Sequence, residues 1–353
     1  MQKLKIENYS DEEDDHIFIN YTLVNQNVAR LGSTLAKIVD NRASPIIANP
    51  EKYNVTISRF GIPTSDIPLF VYPIGNVPGT SLNYFVVTLF YGGVNYQATA
   101  VPVDYSYLPN DLYIYYVQQF LDSLNNAFAV AWGALNTANP GVVASAPFYI
   151  YNQSTSLISL ICLPTYVSSG VQIWISSEIN NRISGITSFF NGHYNTDYHD
   201  FMYIVKDFGN NEYIYAGGPF LSFTQEGIQL GNMTDIQGIV FISNLPSQSE
   251  NTGISITTDA TGGYLSPSNS NLQILLDFEP IQGSSLLTTI SAQRFQYQPS
   301  LYRLVPLIGT VPISSINFQI FYQNNTGALM PITIGPSTSM NVKLLFLKKG
   351  LSS

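Results

Sequence analysis

The sequence predicts an all-β chain of two packed units that carries one long helix, and three features support this. Short apolar segments alternating with polar residues recur along the chain, punctuated by Gly, Pro and Asn turn signals. Only one long stretch has apolar residues stepping by three and four instead. The chain has 353 residues, more than the roughly 250 to 300 that a single core usually serves.

Residues 1–50 read as an arm. It holds the acidic run DEEDD at 11–15, then HIFINYTLV as a strand. A run of like charges is solvated or docks on a basic neighbour. A strand opens at 53, where Tyr53, Val55 and Ile57 alternate with Asn54, Thr56 and Ser58. It then runs into an apolar segment broken by Pro63, Pro68 and Pro73. Residues 83–103 form a hairpin about Gly92-Gly93, since paired glycines supply the positive φ of a tight turn.

The helical stretch is 110–136, with Val117, Leu121, Leu124, Phe128, Ala131 and Leu135 on one face, Asn110 as cap and Asp111 in the first turn. Such a helix spans about 38 Å and packs its stripe on a sheet. Strands follow at 147–152, 157–163 and 171–176, then a shorter helix at 178–190, then a second hairpin over 201–218 turning at Gly209-Asn210-Asn211. Beyond 225 only strands fit, at 237–242, 253–258, 271–278, 287–297, 315–322, 330–334 and 340–347. The expected division is an arm over 1–50, a β domain with the helix over 51–225 and a second β-sandwich over 226–353.

Composition bears on function. Charged residues are 10% of the chain, where about 25% is usual. Asn, Ser, Thr, Gln and Tyr take their place, and such side chains suit surfaces that a neighbouring subunit covers. No Lys or Arg occurs between Arg59 and Arg182 or between Lys206 and Arg294, and the net charge is -9. Nucleic-acid binding needs clustered cations, so the main body is not expected to bind it directly. The single cysteine, Cys162, sits in an apolar run and reads as a small buried hydrophobe. No segment has the length of a membrane span or of a signal-peptide core, which points to synthesis in a reducing cytoplasm.

Catalytic signatures are missing: no phosphate-binding glycine loop, no nucleophile elbow, no paired cysteines. The one cluster with ligand chemistry is NGHYNTDYHD, where His193, Asp197, His199 and Asp200 fall within eight residues. Imidazole and carboxylate can hold a divalent metal or act as base and orienter. The spacing fits no common zinc pattern, and Asn191-Gly192 marks a turn, so the plainer reading is a polar loop. No catalytic or cofactor residue is assigned.

Two stretches resemble a known family. NVTISRFGIPTSDIPLF, from 54, is similar to a segment near the start of the jelly-roll domain in penton-type minor capsid proteins of virophages and polinton-like viruses. LYRLVPLIGTVPISSINFQIFYQNNTGALMPITIGPSTSMNVKLLFLKK (301–349) is similar to their closing strands. The resemblance implies jelly-roll sandwiches, symmetric self-assembly into an icosahedral shell as a pentamer or trimer with other capsid proteins, and no catalytic residues or cofactor. On this reading the prolines after Arg59 keep a sheet edge from recruiting strands. Ile62, Ile67, Leu69, Phe70 and Val71 then become candidate interface residues, the alternative being an internal connection across the chain's own core. Two other functions stay open: a tandem jelly-roll major capsid protein forming pseudo-hexagonal trimers, and a receptor- or glycan-binding module of a spike or fibre.

Overall fold

A computed structural model describes residues 15–26, 34–71, 85–100, 113–186, 188–190, 200–203, 212–215, 218–227, 233–234, 236–247, 273–278, 294–298, 302–324 and 329–350. The chain forms two compact units, one from Met1–Asp66, Gln237–Gln282 and Thr289–Ser353, the other from Ile67–Ile236 and Gly283–Thr288. These units are not contiguous pieces of chain, so the expected cuts at 50 and 225 are replaced. The reason is long-range pairing. HIFINYTLV, expected in a separate arm, pairs residue for residue with the C-terminal strand, from His16 opposite Leu347 to Val24 opposite Ser339.

The first unit is a jelly-roll β-sandwich. One antiparallel sheet has the order His16–Val24, Ser339–Lys348, Tyr53–Pro63, Arg294–Tyr297, with Val305–Pro306 also on Tyr53–Pro63. The other runs Gln273–Phe278, Ile236–Ser243, Ser315–Asn324, Leu329–Pro331, with Lys37–Asn41 also on Ser315–Asn324. Met340, Val342, Leu344 and Phe346 alternate inward along the central C-terminal strand, which fixes its register. Phe60 of one sheet meets Phe241 of the other edge to face, and Phe241 stacks on Phe318. Burying each such ring removes it from water for about 2 to 3 kcal/mol.

The second unit holds two further antiparallel sheets and the long helix. The first sheet has the order Ser188–Phe190, Asp200–Tyr203, Gln172–Ser176, Val86–Tyr91, Val94–Thr99, and the second Glu212–Tyr215, Gly218–Thr224, Leu157–Cys162, Phe148–Asn152. The expected hairpin at Gly92-Gly93 is present, both glycines having positive φ, +59° and +83°. The second expected hairpin is not seen among the described residues. Asp200–Tyr203 and Glu212–Tyr215 lie in different sheets, and Glu212–Tyr215 pairs instead with Gly218–Thr224. Each arm finds its apolar partners elsewhere, which a local turn signal cannot report. The turn itself, 209–211, lies outside the described residues, as does the expected strand at 253–258.

The helix spans Val117–Ala138 and begins later than 110, because Tyr113–Ile114 instead pairs with Phe70–Val71. Asn110 and Asp111 lie outside the described residues. The helix N-terminus is served by Gln119, whose Oε1 accepts the Tyr115 backbone N–H at 2.9 Å in a buried position. The predicted stripe is inside: Leu121, Leu124, Phe128, Ala131 and Leu135 are buried. Asn125 also joins the helix to the edge strand Phe148–Asn152 by accepting from the Tyr149 N–H and donating to its C=O. The shorter helix covers only Ser177–Arg182, and Ser188–Phe190 is a strand.

Candidate assembly surface

Among the sequence-predicted site residues, His193, Asp197 and His199 lie outside the described residues, and Asp200 opens a strand opposite Ser176. Among the described residues no three His, Cys, Asp or Glu side chains gather to hold a metal.

The segment 62–71 sits chiefly in the chain's own cores. Ile62 and Phe70 are fully buried, Leu69 is buried and Ile67 half-buried, while Val71 pairs with Tyr113. Phe70 stacks edge to face on Phe120, with the Arg182 guanidinium 4.4 Å above its ring. Ile62, Leu69 and Phe70 therefore have no surface left for a neighbouring subunit. The internal-connection reading describes these three: apolar side chains beside prolines fill cores as the chain leaves one unit at Asp66 and enters the other. Asp66 is held in place, its carboxylate accepting from Thr338 Oγ1 at 2.7 Å and from Ser65 Oγ at 3.3 Å.

Buried phenols and the thiol explain no chemistry either. Tyr149 and Tyr203, one from each sheet of the second unit, share a hydrogen bond between their hydroxyls, and burial holds both phenols above the usual tyrosine range. Burial pushes the Cys162 thiol up to about 12, which keeps it protonated and unreactive.

What the first unit does present is an apolar side. His16–Val24 is an outer strand of one sheet and Lys37–Asn41 lies beside Ser315–Asn324 in the other. The two are joined at Tyr21, whose hydroxyl donates to Asp40 Oδ2 at 2.9 Å. Arg42 donates to the same oxygen through Nε at 3.0 Å. Burial, with that bond, raises the Tyr21 phenol, and the bond to Asp40 raises Arg42. Around this junction Phe18 (46%), Val24 (52%), Leu35 (45%) and Val39 (54%) are exposed. Leu35 pairs with Thr333, and Asn25, next to Val24, donates to the Ile334 carbonyl, so one C-terminal segment underlies both positions. His16–Val24 contains no Pro, Lys or Arg, the residues that usually guard an exposed strand edge. Lys343 reaches over the Phe18 ring at 4.0 Å. The sequence could not mark these residues, because their apolar character is what buried strand residues also show; only the register exposes them.

A family described as Sputnik minor capsid protein V18/19 matches residues 17–348. The chain belongs to that family. It is 26% identical to structural protein V19 of Sputnik virophage over 215 residues, 58% of this chain and 95% of that protein. It is 31% identical to the uncharacterized protein V18 of Sputnik virophage over 126 residues, 30% of this chain and 74% of that one. A chain of the Sputnik virophage cryo-EM structure superposes with TM-score 0.67 at 26% identity, covering 97% of this chain and 100% of that one. The mavirus penton protein superposes with TM-score 0.62 at 17% identity, covering 95% and 100%. As a member of the V18/19 family the chain is a structural protein of the virion, of the minor capsid type. The open readings of a tandem jelly-roll major capsid protein and of a spike or fibre module give way to it.

Proposed function

We propose that this family member acts by symmetric self-assembly, as a homo-pentamer at the vertices of an icosahedral shell, and catalyses no reaction. The observation that carries the reading is the family match across 17–348. The penton name of the mavirus relative supports the pentamer. Lateral contact is assigned to the side of the first unit bearing Phe18, Val24, Leu35 and Val39, where apolar surface is exposed. A contact of one such side with a different side of the next copy closes a ring. Synthesis takes place in the host cytoplasm, where the lone buried thiol suits reducing conditions. Among the described residues no helix is long and apolar enough to cross a membrane.

The test is the absolute mass in solution by light scattering, followed by negative-stain imaging. A five-fold ring is the expected species. A trimer with a hexagonal outline would return the protein to a facet role. A monomer at every concentration would show that the ring forms only with other capsid proteins.

A further inference from the structure

The His16–Val24 strand leaves one edge of its sheet open. It stands last in the sheet order and, among the described residues, pairs only with Ser339–Lys348. Lys348 N–H donates to the Asp15 carbonyl at 2.9 Å and Asn25 N–H to the Thr338 carbonyl at 3.0 Å, at the two ends of one unbroken register. Hydrogen-bonded pairs alternate along an antiparallel ladder, so Ile17, Ile19, Tyr21 and Leu23 also turn their main-chain groups toward that partner. His16, Phe18, Asn20, Thr22 and Val24 turn theirs outward, and each of these residues is exposed.

Other outer strands carry guards. In the second unit Asn125 occupies the edge of Phe148–Asn152, accepting from the Tyr149 N–H and donating to its C=O. The far strand of the same sheet as His16–Val24 begins at Arg294, and Lys37–Asn41 begins at Lys37, cations that discourage further pairing. His16–Val24 has neither device and holds no Asp, Glu, Lys or Arg. The strand it fits is a copy of itself. Outward groups meet outward groups only where even-numbered residues face each other, and the antiparallel register with Asn20 opposite Asn20 uses them all. That register sets Phe18 opposite Thr22, an aromatic beside a β-branched residue, and His16 opposite Val24, and it opposes no like charges.

We propose that the His16–Val24 edge pairs with the same strand of a second copy, antiparallel and centred on Asn20, in a two-fold dimer of subunits outside the ring. The inference rests on the assignment of lateral contact to this side of the first unit. A two-fold contact joins two copies and cannot close a five-fold ring, so dimer and ring compete for one surface. The dimer shields an unguarded edge, which is otherwise open to indiscriminate pairing, until the ring takes the subunit up. Its axis stands normal to the sheet, so Phe18 and Val24 of both copies stay on one face.

Cysteines introduced into the full-length protein read the register, since the native thiol, Cys162, is buried. Asn20→Cys is expected to form a disulfide-linked dimer in oxidised glutathione at least about tenfold faster than Thr22→Cys or Val24→Cys, because only position 20 faces itself, at about 5.5 Å between Cα atoms. An equal mixture of Phe18→Cys and Thr22→Cys chains should link position 18 to position 22 in preference to either self-link. Equal rates at the three positions, or no preference in the mixture, overturn the proposal. Negative-stain imaging of Asn20→Cys before and after reduction separates the dimer from the ring. Rings that are lost on oxidation and return on reduction support the competition, and rings built from oxidised dimers overturn it. Fast linking at position 20 with no rings after reduction keeps the dimer and counts against the ring. Rings without that linking keep the ring and overturn the dimer.

Discussion

Phe60 and Phe241 meet edge to face with ring centroids 5.2 Å apart, and that contact closes the two sheets of the first unit on each other. Phe241 also stacks on Phe318 at 5.4 Å, so it is the middle ring of three. Phe241→Ala removes both contacts and leaves a cavity between sheets, for an expected loss of about 3 to 5 kcal/mol. Phe241→Leu keeps most of the volume and costs less. Denaturant unfolding of both variants checks the order, and equal midpoints would remove Phe241 from the centre of the core.

The hydroxyl pair Tyr149 and Tyr203 allows a double-mutant cycle. Either single change to Phe leaves a buried hydroxyl without its partner and costs about 1 to 3 kcal/mol. Y149F/Y203F removes both groups and is expected to lose less than the two singles combined. An additive double variant would show that the bond carries no coupling.

The same pair sets an alkaline limit. Burial holds both phenols above the ordinary value, so they stay neutral in the folded chain. Below about pH 10 the unfolded chain is neutral too, and stability does not depend on them. As pH rises past that value the unfolded chain ionises first, and stability falls by up to about 1.4 kcal/mol per pH unit for each group until its folded value is reached. Unfolding midpoints measured across that range should fall with pH, and fall less steeply in Y149F/Y203F.

How much of this was legible in the sequence depends on the range over which each signal acts. The Gly92-Gly93 hairpin is a local event between adjoining strands, and it was legible. The inner stripe of the helix was legible as well, because its period lies within one element. The helix start was not, since Tyr113–Ile114 is claimed by Phe70–Val71, a partner about forty residues away. Nor was the pairing of Glu212–Tyr215, whose turn residues pointed to the wrong neighbour. The exposed apolar side has the same cause. Phe18 and Val39 alternate as core residues do, and only the placing of their strands at the margins of the sheets turns them outward.

Cys162 should behave as a core residue. Its thiol is buried and pushed up to about 12, so almost none is thiolate near neutral pH. Alkylation by iodoacetamide is expected to be slow in the folded protein and rapid in denaturant. Rapid labelling of the folded chain would mean that the Leu157–Cys162 strand opens readily.

The exposed apolar side gives the most direct test of assembly. Val39 lies on Lys37–Asn41 at 54% exposure, with its neighbour Asp40 already tied to Tyr21 and Arg42. Val39→Lys adds a charge where no buried contact is lost, so the folded subunit should keep its stability within about 0.5 kcal/mol. A lysine at a strand edge also discourages further pairing. If this side is a subunit contact, burying that ammonium without a partner costs several kcal/mol and weakens the oligomer by well over tenfold. Phe18→Ser should act in the same direction through lost apolar area, and Val130→Lys, on the exposed face of the helix in the second unit, serves as the comparison. Sedimentation analysis of the three variants distinguishes the outcomes. Smaller species for the Val39 and Phe18 changes, with thermal stability retained, assign the contact to this side. Full-size oligomers for both would mean that the subunits meet elsewhere.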